Sequence, residues 1–192
     1  MNHLEQRLTD ILKAAPQLMR VLKMARELDL PDWLVFSGAV YQPVLNHLTG
    51  RAPSYGVKDY DLAYFDAADL SYEAEDAVIQ RVAQAFDADL APLVEVRNQA
   101  RVHLWFEAKF GETYAPLSCS AEAMARFITP LNAVGVRLLP DDGLRITAPF
   151  GLEDLFALRL RPNPAQGRAD RFARIAASMR ARWPELTVEA GA

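Results

Sequence analysis

The chain has 192 residues, of which 51% are hydrophobic and 24% charged, the balance of a globular protein with a sizeable core. A formal net charge of −4 excludes a global basic field that would recruit nucleic acid. The one cysteine, Cys119, excludes an internal disulfide and fits a reducing compartment.

The N-terminus, Met1-Asn2-His3-Leu4-Glu5-Gln6-Arg7, has no basic segment leading into an apolar stretch, and no apolar run approaches the ~20 residues that span a bilayer. No membrane partner is expected, and the default location is cytoplasmic. Leu4, Leu8, Ile11, Leu12 and Ala15 recur at helical spacing, and Leu18, Val21, Leu22 and Ala25 resume the pattern after Pro16. Two consecutive helices are predicted, with Pro16 in the first turn of the second. Leu28 to Pro31 ends that helix. Trp33-Leu34-Val35-Phe36 reads as a buried strand, Ser37-Gly38-Ala39 as a turn, and Val40 to Leu48 as a helix stopped at Gly50.

A strand from Lys58 to Phe65 follows. Ser71 is placed to cap a helix with Ala74, Val78, Val82 and Phe86 on its inner face. Leu93 to Val96 begins another strand, expected to run on through His103-Leu104-Trp105-Phe106 after a turn or bulge near Asn98. Ser120 is placed to cap a helix reaching Phe127. Ala133–Leu139 and Leu144–Ala148 read as strands joined by the turn Asp141-Asp142-Gly143. Gly151 to Leu160 is expected to be helical, Pro162-Asn163-Pro164 to break the chain, and a last helix to carry Phe172, Ile175, Met179 and Trp183 on one face. The fold class expected is α+β, a mixed sheet with helical ends. One domain over 1–192 is expected: a helical segment 1–30, a core of about 31–150 and C-terminal helices over 151–190.

The chemistry centres on Val57-Lys58-Asp59-Tyr60-Asp61-Leu62. Side chains alternate along a strand, so Asp59 and Asp61 share a face. Two carboxylates so close repel unless a cation lies between them, and Mg²⁺ prefers one or two carboxylates plus phosphate oxygens. A solvated turn is the competing reading of this short motif. Ser37-Gly38 lies between a strand and a helix, where glycine admits a phosphate to the backbone and the helix offers free N–H groups; a tight turn alone also explains it. Glu95 stands between valines, positioned to add a third carboxylate if its strand neighbours the aspartates. Arg97, Asn98 and Arg101 suit phosphate and sugar contacts, and a solvated Glu–Arg face explains them as well. His103 is either a base or a polar core residue. In haloacid-dehalogenase-type phosphatases the apolar strand precedes the aspartates, whereas here it follows them.

The stretches Phe36-Ser37-Gly38-Ala39-Val40, Leu48-Thr49-Gly50, Lys58 to Asp66, Glu95 to Trp105 and Ala148 to Pro164 together resemble the polymerase-beta-type nucleotidyltransferase superfamily, and more narrowly a family of small bacterial nucleotidyltransferase-like proteins. Asn98-Gln99-Ala100-Arg101-Val102-His103 is the most specific of these strings and Asp-x-Asp the least. The order Ser37-Gly38-Ala39 departs from the superfamily's Gly-Ser or Gly-Gly pair, and Asp59 lies 21 positions after Gly38, a longer gap than usual.

The resemblance implies a nucleotidyltransferase-like mixed sheet and transfer of a nucleoside monophosphate from an NTP to an acceptor hydroxyl, with pyrophosphate release. It implies Asp59, Asp61 and Glu95 as catalytic, Mg²⁺- or Mn²⁺-binding residues. Ser37, Gly38, Lys58, Arg97, Asn98 and Arg101 would contact the nucleotide. A nucleotide-binding module without turnover is the alternative. A nucleic-acid partner would rest on Arg168, Arg171, Arg174, Arg180 and Arg182, for which a solvated helix face is the simpler account. Asp154 and Arg159 are placed either at the site's edge or in helical packing.

Overall fold

The structure, a computed structural model, describes residues 2–189; Met1 and residues 190–192, the ends of the expected domain, lie outside it. Helices α1 (His3–Lys13) and α2 (Pro16–Leu28) form as the apolar spacing dictates. Asn2 and Glu5 close a reciprocal capping box on α1, and Pro16 opens α2 where its missing N–H costs nothing. Strand β1 (Leu34–Phe36) leads through Ser37 into α3 (Gly38–Leu48). Strand β2 (Tyr60–Tyr64), helix α4 (Tyr72–Ala85) and strand β3 (Val94–Asn98) make a parallel crossover, and the Ser71 hydroxyl caps α4 by accepting from the Ala74 amide.

Beyond β3 the chain departs from the expected strand. The Asn98 side chain accepts from the Ala100 amide, turning the backbone into a 3₁₀ turn that continues as helix α5 (Val102–Phe110). His103 to Phe106 are therefore helical. Helix α6 is limited to Glu122–Ala125, and Ser120 does not cap it; its amide instead donates to Asp32. Strands β4 (Gly135–Leu138) and β5 (Leu144–Thr147) form the expected hairpin. The helix expected over Gly151–Leu160 shrinks to α7 (Glu153–Phe156). Leu158 takes a left-handed backbone (φ 53°), and β6 (Arg159–Leu160) then pairs in parallel with β7 (Thr187–Val188). Helix α8 (Ala169–Arg182) packs Phe172, Ala176 and Met179 inward, and Trp183 just beyond it is fully buried.

The main sheet has strand order β3-β2-β1-β4-β5, antiparallel throughout except for β2–β3. This is the predicted mixed α/β class. One face carries Val35, Leu62, Tyr64, Val96, Val136 and Leu138 into a core shared with α1, α2 and α3. The other face is covered only in part: Met124 and Phe127 pack over Leu34, Phe36, Ala63 and Ala133. The β2–β3 end of that second face is left for polar side chains. Among the described residues no helix is long and apolar enough to cross a membrane.

Candidate functional site

Strand register places the acids. Asp61 lies opposite Phe36 of β1 and, on its other side, opposite Glu95 of β3. Opposed residues in neighbouring strands project to the same face, so Asp61 and Glu95 stand side by side. Asp59 immediately precedes β2, which starts at Tyr60 and not at Lys58 as expected. Gly135 continues the row beyond Phe36. A Cβ there would come within 2.9 Å of Leu34, 3.0 Å of Met124 and 3.1 Å of Phe36, so the row closes tightly on its apolar side.

The electrostatics of Asp61 are unusual. Burial, followed by the nearby charges of Asp59 and Glu95, pushes its carboxyl up to about 7, and Arg97 opposes the shift only in part. Glu95 and Arg97 are exposed, whereas Asp61 is half-buried. Among the described residues no side-chain hydrogen bond or ion pair reaches Asp59, Asp61 or Glu95. Arg97 directs its guanidinium to the Val96 carbonyl instead. A hard divalent cation fits this oxygen-only, negatively charged set. Among the described residues, however, no three His, Cys, Asp or Glu side chains stand close enough to hold an ion by themselves. Phosphate oxygens would have to complete the coordination.

Ser37 sits at φ 60°, ψ −130°, a conformation ordinarily left to glycine. Its amide donates to the Val134 carbonyl, and its carbonyl accepts from the Val40 and Tyr41 amides. Its hydroxyl makes no cap hydrogen bond. Among the described residues the amides of Gly38 and Ala39 donate to no acceptor. The N-terminus of α3 thus keeps two undonated amides, on buried residues and beneath the Gln42 side chain.

Lys58 and Asp59 line a pocket of about 380 Å³ with Gln42, Gly56, Ser178, Ala181 and Arg182. Gln42 lies one helical turn beyond Gly38, folded back over it. It is only 6% exposed and its Oε1 accepts from nothing, while its Nε2 donates weakly to the Tyr41 hydroxyl at 3.5 Å. Burial raises the Tyr41 pKa. Arg182 stacks over the Trp183 ring at 4.5 Å and forms no ion pair among the described residues. Gln42 and Tyr41 were findable from their i+4 and i+3 spacing to Gly38; Arg182 comes from a remote helix, and nothing in its sequence neighbourhood points to Asp59.

Two residues expected at the nucleotide are held elsewhere. The Asn98 amide group donates to the Asp66 carbonyl, while its oxygen accepts from the Asp66 and Ala100 amides. Arg101 is buried against Glu75 and donates to the Leu70 carbonyl. Both brace the β3–α4 corner, and the structure does not bring them to the acids. Asp154 likewise serves packing: it is 4% exposed and holds Arg159 and Arg161 at 2.5 and 2.7 Å. His103 is partly buried with its Nδ1 unpaired.

A family profile described as nucleotidyltransferase matches residues 23–188. The chain belongs to this nucleotidyltransferase family. The family member also resembles solved structures in fold. One, an NMR structure described as a CCA-adding enzyme head domain, superposes with a TM-score of 0.76 at 23% identity, covering 97% of this chain and 96% of that one. A CCA-adding enzyme in complex with CTP gives 0.57 at 17% identity, covering 95% of this chain and 43% of that one. The ATP complex gives 0.55 at 16%, covering 94% and 41%. The family member thus spans less than half the length of those two chains. No curated protein matches it.

Proposed function

We propose that the protein, working as one unit, moves a nucleoside monophosphate from an NTP to an acceptor hydroxyl. The acceptor oxygen forms a bond to the α-phosphorus, the bond from that phosphorus to the bridging oxygen breaks, pyrophosphate leaves, and the hydroxyl proton passes to solvent. The observation that carries this reading is Asp61: a half-buried carboxylate without a hydrogen-bond or ion-pair partner among the described residues, in register with Glu95, beside Asp59, on the sheet that feeds the N-terminus of α3.

Asp59 and Asp61, with Glu95 completing the set, would hold Mg²⁺ or Mn²⁺, which supplies Lewis-acid polarisation of the phosphates and the charge balance this site lacks. The free amides of Gly38 and Ala39 and the Ser37 hydroxyl take the β- and γ-phosphate oxygens. Lys58 and Arg182 neutralise remaining phosphate charge from the opposite wall. Arg97 lies at the exposed rim of β3 and offsets the acids' repulsion. The CTP and ATP bound to the structurally similar CCA-adding enzyme support an NTP as donor.

A second reading, nucleotide binding without turnover, draws on the absence among the described residues of a three-carboxylate group able to hold an ion by itself. Titration with ATP, CTP, GTP and UTP, with and without Mg²⁺ or Mn²⁺, tests both. Thermal stabilisation that requires metal and nucleotide together, and disappears in Asp59→Ala and Asp61→Ala, is expected. Pyrophosphate release then separates an enzyme from a binding module. Stabilisation indifferent to both substitutions overturns the site.

A further inference from the structure

A larger cleft of about 670 Å³ opens beside α6 and α8, between Phe106, Tyr114, Arg126, Asn132, Arg168 and Arg171. It continues past Arg171 and Asn132 into a second opening lined by Tyr41 and Arg182, and Arg182 also walls the pocket that holds Asp59. Phe127, on the cleft's inner wall, packs on Phe36 at 5.7 Å, and Phe36 is the strand partner of Asp61. Through Arg182 the cleft thus adjoins the pocket that holds Asp59.

Its chemistry is specific. The apolar side is aromatic, with Phe106 and Tyr114 rings 4.5 Å apart. Asn132 Oδ1 is buried there without a partner. Glu112 has to serve two guanidiniums, Arg168 at 2.5 Å and Arg171 at 3.4 Å. Glu122 faces Arg126 only at 3.4 Å and is held more closely by the Ser118 amide and hydroxyl at 2.7 and 2.9 Å. With Arg174, which pairs with Asp170, and Arg182 of the adjoining opening, which forms no ion pair among the described residues, five arginines face three carboxylates, a surplus of two positive charges. That surplus matches one phosphate group rather than a polyanionic backbone, and the volume matches a small molecule.

We infer that this cleft is the acceptor site and that the acceptor is a small phosphomonoester bearing a free hydroxyl on a flat or apolar body, its phosphate held between Arg168 and Arg171. Its role as acceptor rests on the nucleotidyl-transfer reading; binding in the cleft does not. Arg171 exchanges its long contact to Glu112 for the phosphate, the rings cover the apolar body, and Asn132 Oδ1 accepts a hydrogen bond from a donor group on the ligand.

Phenyl phosphate serves as the probe, followed by calorimetry and by amide shifts in the full chain. Saturable binding is expected, with shifts centred on Phe106, Asn132 and Arg171. Affinity should fall at least tenfold in Arg171→Gln and in Arg168→Gln, stay unchanged in Asp61→Asn, and survive saturating Mg·ATP. Phenol should bind at least tenfold more weakly than phenyl phosphate. Where a variant fails to fold, the shift map of the wild-type protein decides alone. Displacement by Mg·ATP, shifts centred on Gly38 and Ala39, or no binding overturns the proposal. So does a single-stranded oligonucleotide that binds the cleft tenfold more tightly with a steep salt dependence. Failure of NTP binding with the cleft map intact would remove the transfer reading and leave the anion site standing.

Discussion

Asp61 links stability to function through its proton. Its carboxyl titrates near 7 in the fold against an ordinary 3.8. Between those values the folded protein keeps a proton that the unfolded chain has released, so metal-free stability falls as pH rises from about 4 to about 7 and the full penalty stands above 7. Asp61→Asn removes the penalty. In EDTA at pH 8 the variant should be more stable than the wild type by roughly 1–3 kcal/mol, with the difference closing at pH 4. Adding metal and NTP should reverse the ranking, since only the wild type gains binding energy. Thermal melts at the two pH values give the answer, and an Asp61→Asn variant less stable at pH 8 would show that the carboxylate makes a favourable contact. Ser37 is the complementary case. Glycine accepts its backbone angles freely, so Ser37→Gly should gain about 1 kcal/mol in denaturant unfolding while weakening NTP binding through the lost hydroxyl. A loss of stability would mean that the hydroxyl is needed to hold the turn.

At the scale of elements, the close approach at Gly135 keeps β1 and β4 aligned under α6. Gly135→Ala should cost about 1–3 kcal/mol, because the Phe36 Cβ at 3.1 Å belongs to a central strand and has little room to move. Unchanged stability in urea would mean that α6 yields instead. The buried Glu75–Arg101 pair fixes the β3–α4 corner, and Glu75 also accepts from the Asn98 amide. Removing one partner strands the other, so Arg101→Met should lose about 3–5 kcal/mol. NTP affinity of whatever fraction remains folded should stay as in the wild type. A stable Arg101→Met protein that no longer binds NTP would return Arg101 to the nucleotide. These elements also show what can be read from sequence. Alternation puts Asp59 and Asp61 on one face and the flanking valines mark Glu95 as a strand residue, because strand geometry is local; that Glu95 stands opposite Asp61 comes from the β2–β3 register, which the sequence leaves conditional. Arg101 and Asn98 have the composition of ligands, and only the fold reveals that Glu75 and Asp66 lie within their reach. The apolar string His103–Phe106 fits strand and helix equally by composition. The turn that decides it comes from the Asn98 side chain, which makes a local bond to the Ala100 amide and is fixed by a tertiary contact to Asp66.

The whole molecule converges on Asn46. Trp183, at the end of α8, donates its indole N–H to Asn46 Oδ1 at 2.8 Å, while Asn46 Nδ2 donates to the Pro53 and Tyr55 carbonyls at 3.1 and 2.8 Å. One fully buried amide on α3 therefore ties the C-terminal helix to the loop that delivers Lys58 and Asp59. The Tyr55 ring meets Trp183 edge-on at 6.2 Å, and Arg182 reaches the Gly56 carbonyl at 3.5 Å, so the loop is held on two sides by α8 and its end. Trp183→Phe keeps an aromatic ring but removes the donor and part of the ring volume, leaving Asn46 Oδ1 buried and unpaired at a cost of about 1–3 kcal/mol plus that of the cavity. The sharper expectation concerns position. With Asn46 free to turn, amides 52–57 should exchange faster with solvent and NTP affinity should weaken several-fold, because Asp59 is no longer presented at a fixed height beside Asp61. Trp33→Phe is the control: Trp33 is equally buried in the same core but lies beside β1, under Arg137. It should cost stability without changing exchange in the loop. If the two substitutions behave alike, α8 contributes only bulk to the core. If they differ as expected, the C-terminal helix is part of the site although none of the three site acids lies on it.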